Sequence, residues 1–234
     1  MAEQQTQETP ALEITDLSFT FPDASEPIVR IDALTLRKGE QMLLAGGSGR
    51  GKSTLLQLIA GLLEPTRGRI LIDGTDISTL PAARRDLYRG QKLGMIFQTF
   101  NLLPGFSALE NVMAALKFGR HPKREHRDRA LDLLKSLGIE RVHAEPDQLS
   151  VGQQQRVAVA RSLACEPVLV LADEPTASLD PHNAATAMDL IQEACRTRNA
   201  ALLCTSHDPR TAARFERRAS LDELAGAALA GKDS

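Results

Sequence analysis

The sequence predicts an α/β fold, a mainly parallel sheet with helices on both faces, with an antiparallel piece at the start and a helical stretch in the middle. Three observations predict it. The apolar run Gln41-Met42-Leu43-Leu44-Ala45 leads into a glycine loop and then a helical pattern. The run Val168 to Ala172, bounded by Pro167 and Asp173, is continuously apolar and reads as a strand buried on both faces. Short strand-like runs alternate with helical periodicities along the rest of the chain.

Taken in order, residues 1–11 read as a disordered tail. Met1 to Pro10 is polar and lacks the basic and apolar blocks of a secretory signal. Leu12 to Phe19 and Ile28 to Arg37 are strand-like, separated by the two-proline turn Phe21-Pro22-Asp23-Ala24-Ser25-Glu26-Pro27. Lys38-Gly39-Glu40 turns the chain into the strand 41–45. Thr54 to Ala60 reads as a helix, with Leu55, Leu56 and Ile59 as its apolar positions. Gly61, Pro65 and Gly68 then break the chain, and Ile70-Leu71-Ile72 is a short strand closed by the turn pair Asp73-Gly74. Leu93 to Phe97 is a further strand.

From Asn101 to Leu149 helical patterns dominate, at Ala108 to Phe118 and at Arg127 to Leu137, so residues 100–165 or thereabouts form a helical subdomain. Between those helices, Arg120 to Arg129 is basic but is interrupted by Glu125 and Asp128, as on a solvated helix face. Pro181 to Arg196 is a helix with Asp180 as its cap. Ala200 to Cys204 is a short buried strand. The main unit spans residues 12–210, and 211–234, with mixed signals, is set apart as a C-terminal extension.

Composition narrows the function. The 234 residues carry 28 basic and 30 acidic side chains, a formal net charge of −2. That balance gives no bulk attraction to nucleic acid or anionic lipid. There is no run of about 18 apolar residues of the kind that spans a membrane. Cys165, Cys195 and Cys204 are far apart and fit no metal spacing, so they read as buried thiols in a reducing compartment. With seven Phe, one Tyr and no Trp, the core falls to Leu, Ile, Val and Ala.

The chemistry begins at Gly46-Gly47-Ser48-Gly49-Arg50-Gly51-Lys52-Ser53, which fits the phosphate-binding pattern G-x-x-x-x-G-K-[ST] between a strand and a helix. Glycines let backbone N–H groups converge on phosphate oxygens, and the following helix adds positive charge at its N-terminus. Lys52 reaches the outer phosphates, and the Ser53 hydroxyl suits a magnesium ion. Asp173-Glu174 follows the buried strand. Asp173 suits magnesium, largely through water, and Glu174 suits a general base acting on water. Gln98 ends the strand 93–97 with an amide able to meet both metal and water. His207 ends the strand 200–206 and is placed to donate a hydrogen bond to developing charge on a γ-phosphate. Leu149-Ser150-Val151-Gly152-Gln153 precedes a helical pattern and reads either as a simple N-cap or as a second anion nest.

In their order along the chain, these elements resemble the nucleotide-binding domain of ATP-binding cassette (ABC) transporters over roughly residues 12–210. The resemblance implies a P-loop NTPase fold with a RecA-like, mainly parallel sheet, an N-terminal antiparallel β subdomain and an inserted α-helical subdomain. It makes Gln98 the Q-loop glutamine, Leu149 to Gln153 the L-S-G-G-Q signature and Leu169 to Glu174 the Walker B strand. Ser178-Leu179-Asp180 resembles the D-loop, His207 the switch histidine, and Phe21 the aromatic that stacks on adenine. It implies ATP and Mg²⁺. The nucleotide contacts are Phe21, Gly46, Gly47, Ser48, Gly49, Arg50, Gly51, Lys52, Ser53, Thr54 and Gln98. Ser150, Gly152 and Gln153 of a second copy, with Asp180, complete the contact set. Ser53, Gln98 and Asp173 are the implied metal ligands, and Glu174, His207, Lys52 and Gln98 the implied catalytic groups.

The sequence departs from the family pattern in four places. Val151 replaces the first signature glycine, and a β-branched residue is strained if that position needs φ > 0. Arg50 stands where a small residue is usual and is expected to point outward. Phe21 replaces Tyr, losing a hydroxyl and keeping the stacking face. The segment after His207 lacks the usual apolar strand and glycine turn. Met95 to Pro104 and Leu171 to Thr176 look most like the lipoprotein-release, macrolide-export and cell-division group.

The resemblance implies a head-to-tail homodimer on ATP driving a separate integral membrane permease, peripheral on the cytoplasmic face of the inner membrane. No nucleic-acid partner is expected. The segment after Gln98, with Phe100, Leu102, Leu103 and Phe106, is expected to receive a helix of that partner. Two other readings stay open: a soluble ABC-type ATPase acting on DNA or ribosomes, and a non-hydrolysing nucleotide sensor.

Overall fold

The computed structural model describes residues 8–47 and 49–226. In chain order the elements are β1 (Leu12–Phe19), β2 (Val29–Leu36), β3 (Gln41–Ala45), α1 (Lys52–Ile59), β4 (Arg67–Ile72), β5 (Thr75–Asp76), α2 (Ala82–Lys92) and β6 (Leu93–Ile96). There follow α3 (Ala108–Leu116), α4 (His126–Ser136), α5 (Val151–Leu163), β7 (Leu169–Asp173), α6 (Pro181–Thr197), β8 (Ala201–Ser206), α7 (Pro209–Ala212), β9 (Arg217–Ala219) and α8 (Leu221–Ala225). Among the described residues the strands form two sheets: an antiparallel one in the order β2-β1-β4-β5, and a parallel one in the order β6-β7-β8-β3-β9.

The antiparallel sheet buries one face. In β1, Leu12 and Ile14 point inward, and so do Leu17 and Phe19. That change of parity is absorbed at Asp16, which takes φ 49°, where the register against β4 shifts between Thr15 and Ser18. Gly68 faces this bulge, and a Cβ there would lie 2.4 Å from the Asp16 carbonyl oxygen, so only glycine fits.

The parallel sheet is buried on both faces and separates two cores. Leu43, Val170, Ala172, Leu202 and Cys204 face the helices α3, α4, α5 and α6. Met42, Leu44, Leu169, Leu171, Ala201 and Leu203 face α1 and the antiparallel sheet. The run 168–172 therefore reads correctly as a two-sided buried strand, because alternate residues serve different cores.

The helical unit lies between β6 and β7 in sequence. Its first helix, α3, starts in a capping box: the Ser107 hydroxyl accepts from the Glu110 N–H, and the Glu110 carboxylate accepts from the Ser107 N–H. Asn111, fully buried, accepts from the Leu103 N–H at 2.8 Å and donates to the carbonyls of Leu103, Phe106 and Ser107. It fixes the loop that connects β6 to α3.

Several expectations need correction. The chain does not leave the domain at residue 210. β9 pairs in parallel with β3 as an edge strand, Phe215 and Leu224 are buried, and α8 packs against β2. Ala11, assigned to the tail, is fully buried, and its carbonyl accepts from the Asp73 N–H. Residues 1–7 and 227–234 lie outside the described residues. Helix α2 was not foreseen. It buries no residue fully and is held at its rim by the Tyr88 hydroxyl, which donates to the Ile72 carbonyl at 2.5 Å. Of the residues expected to receive a helix of the membrane partner, Phe100 is buried, whereas Leu103 and Phe106 are exposed.

Candidate active site

Strand order brings the chemistry together. β3, β8 and β7 are neighbours and run parallel, with Ala45 opposite Ser206 and Asp173 opposite Thr205. The glycine loop after β3, the Asp173-Glu174 pair after β7 and His207 after β8 therefore emerge at one edge, the carboxyl ends of the strands. β6 ends one strand further out and delivers Gln98.

The loop wraps the start of α1. Gly51, its N-cap, has φ 87°, and a Cβ there would lie 2.5 Å from the Ile28 carbonyl oxygen. Glycine is required on both counts. No side chain caps this helix, and its first turn holds no acidic residue. Its opening N–H groups thus remain available to an anion.

A cleft of about 370 Å³ opens here, lined by Phe21, Ile28, Gly49, Arg50, Gly51, Lys52, Ser53, Thr54, Gln98, Asp173 and Glu174. Ten of the residues singled out from the sequence meet in it. Lys52 is buried to 6% exposure, and its ammonium donates to the carbonyls of Gly46 at 2.7 Å and Gly47 at 2.8 Å. It stands 3.8 Å from Glu174 Oε1. His207 Nδ1 lies 2.9 Å from the same carboxylate oxygen. An ionised carboxylate only accepts, so Nδ1 carries the proton in this contact. Asp173 Oδ1 accepts from the Thr205 hydroxyl at 2.7 Å. Ser53, Gln98 and Asp173 offer oxygen donors on the cleft wall, a hard set of the kind Mg²⁺ prefers. Phe21 is exposed at the rim, supported edge-on by Phe19 with ring centroids 4.9 Å apart.

The remaining predicted residues lie elsewhere. His207 borders an adjoining hollow of about 300 Å³ that shares Glu174 with the cleft. Gly46 and Gly47 line the far side of the loop, where Arg50 turns outward to pair with Asp222 of α8 at 3.2 Å. Ser48 lies outside the described residues. Ser150, Gly152, Gln153 and Asp180 are not among the residues lining the cleft. Ser150 is the N-cap of α5 and forms a capping box with Gln153, an arrangement that a helix N-terminus facing an anion can also have. Val151 is the exposed first residue of that helix and has helical backbone, so the expected strain is absent.

Asp180 caps α6, accepting from the N–H groups of His182 and Asn183 and from the Asn183 side chain. The Asn183 side chain and then its backbone N–H hold the Asp180 carboxyl below its ordinary range. The neighbouring Ser178 hydroxyl donates to the Gln98 carbonyl at 3.2 Å, joining the segments after β6 and β7. Sequence reasoning missed Thr205. Its only signal was a hydroxyl residue two positions before His207 at the end of a buried strand.

Chemically, the cleft presents backbone donors and one buried cation to a polyphosphate, oxygen ligands to a cation, and a fixed carboxylate to a water. Residues 29–177 match the family described as ABC transporter. The chain is 41% identical over 198 residues to a protein of Hydrogenovibrio crunogenus named lipoprotein-releasing system ATP-binding protein LolD, covering 84% of this chain and 86% of that one. It is 40% identical over 215 residues to the Pseudomonas fluorescens protein of the same name, covering 91% and 95%. Among solved structures it resembles the ATP-binding cassette MJ0796 in a dimeric post-hydrolysis state bound to ADP and Pi, with a TM-score of 0.77 at 35% identity over 89% of this chain and 93% of that one. Fold, cleft and relatives agree, and the chain belongs to the ABC transporter family, as an ATP-hydrolysing subunit.

Proposed function

We propose that two copies close head to tail on two Mg-ATP molecules and drive a separate membrane subunit that releases lipoproteins or similar hydrophobic cargo. The observation that carries this reading is the division of the site. The cleft holds the phosphate loop, Gln98, Asp173 and Glu174, while Ser150 and Gly152 stand at the exposed start of α5 and do not line it. A second copy, turned round, brings Ser150, Gly152 and Gln153 over the γ-phosphate.

In this reading the Gly46–Ser53 loop and Lys52 hold the β- and γ-phosphates, and the N-terminus of α1 takes up negative charge as it develops. Phe21 stacks on adenine. Ser53, Gln98 and Asp173 hold Mg²⁺, which when bound neutralises phosphate charge. Glu174 accepts a proton from the attacking water. His207, itself protonated at Nδ1, keeps Glu174 Oε1 in place. Loss of the γ-phosphate removes the bridge between the copies, and the dimer opens.

The membrane partner fits a groove of about 500 Å³ between β6 and the helical unit, lined in part by Met95, Phe97, Asn101, Phe118 and Arg161. Exposed Leu103 and Phe106 lie on the loop that follows it. Among the described residues no helix is long and apolar enough to cross a membrane, so the spanning part belongs to another chain in this reading. The curated relatives carry the lipoprotein-releasing name, which supports the cargo class. Co-purification from native membranes tests the proposal. Recovery of an integral membrane protein is the expected result. Retention on ribosomes or DNA with no membrane protein would favour the soluble alternative.

A further inference from the structure

Thr205 is the last residue but one of β8, a strand buried along its whole length, and is itself 0% exposed. A hydroxyl sealed in that way needs partners, and buried threonines commonly find them in nearby backbone. This one reaches across to the end of the adjacent strand. Its Oγ1 donates to Asp173 Oδ1 at 2.7 Å and accepts from the Glu174 N–H at 3.1 Å. The Thr205 carbonyl accepts from the same N–H at 3.2 Å.

The polarity of these contacts is fixed by the chemistry. A carboxylate can only accept and a backbone N–H can only donate, so the single hydroxyl proton goes to Asp173 and a lone pair to residue 174. The register brings the groups together, because Asp173 is the residue directly opposite Thr205 in the parallel ladder. Glu174 is the first residue past β7, and its backbone stands at φ 45°, in the left-handed region that a residue with a Cβ disfavours. A local conformation of that kind persists where the surroundings over-determine it. The two acceptors on Thr205 do so here, and they set the direction in which the Glu174 side chain leaves the strand toward His207 and Lys52.

We infer that Thr205 is a positioning residue for ATP hydrolysis: one hydroxyl orients the Asp173 carboxylate and pins the backbone that aims Glu174. It touches neither nucleotide nor water itself. The inference rests on the roles proposed above for Asp173 and Glu174.

The test compares Thr205→Val, which keeps the shape and removes the hydroxyl, with Thr205→Ser, which keeps the hydroxyl. Partners of this kind typically change activity or metal affinity by about 10- to 100-fold when removed. The valine variant is expected to lose about that much kcat in phosphate release. It is also expected to need about tenfold more Mg²⁺ for half-maximal binding of a fluorescent ATP analogue, a readout independent of turnover. The serine variant is expected to stay close to wild type in both. Should the valine variant not fold, as judged by thermal melting, Thr205→Ala carries the same comparison.

A folded hydroxyl-less variant with wild-type kcat and an unchanged Mg²⁺ midpoint overturns the inference. So does a serine variant as impaired as the valine one, since that outcome marks a packing role. Glu174→Gln is run alongside. If it turns over normally, the assignment of the base has failed. If it is inactive while Thr205→Val is normal, only the role of Thr205 has failed.

Discussion

Lys52 shows how far one residue type at one spacing determines a site. Its charge is nearly excluded from water, and it is compensated by two loop carbonyls and by Glu174 at 3.8 Å. A buried ammonium is tolerated only with such partners. The same group is the one positioned to meet a polyphosphate. Lys52→Ala is accordingly expected to abolish retention of labelled ATP on a filter, and retention at the wild-type level would remove the loop from the site. The loop and, with it, the Asp173-Glu174 pair were legible in the sequence because their chemistry depends on local order: a strand end, then donors or carboxylates. Gln98, uninformative alone, took its role from the resemblance. His207 was legible only through the resemblance, as a lone histidine has no pattern. Thr205 was not legible, because its role exists only across the β7–β8 ladder. The strain expected at Val151 was an inference from a glycine in the family pattern, and it dissolved once that position proved to be the first turn of a helix.

At the level of elements, two-sided burial made β7 readable, helical periodicity α3, and caps with periodicity α5 and α6. Polar α2 lacked that signal, and its half-buried residues form no apolar stripe. β9 consists of Arg217, Arg218 and Ala219, and it is a strand because β3 offers a free edge, a tertiary cause no local pattern reveals. The loop between β6 and α3 depends on Asn111. Asn111→Ala removes four hydrogen bonds at once and leaves the Leu103 N–H without this acceptor. Burying an unsatisfied group costs about 1–3 kcal/mol. Urea unfolding is expected to show a loss of at least that order, together with faster proteolysis of the loop that presents Leu103 and Phe106. An unchanged midpoint would mean that the loop is held by something else.

For the whole molecule, the fold gives the proposed dimer its rationale. Parallel strand order gathers the phosphate loop, the metal-type donors and the carboxylate in a single cleft. The connection through the helical unit places the start of α5 away from it. In the proposed dimer ATP acts as the bridge between copies, and its γ-phosphate adds binding energy only while it is intact. The decisive measurement is sedimentation velocity on the Glu174→Gln variant with Mg-ATP, with phosphate release followed in parallel. The account predicts a dimer that forms with ATP, does not form with ADP, and releases no phosphate above background. A variant that stays monomeric with saturating ATP, or that hydrolyses it at the wild-type rate, would contradict it.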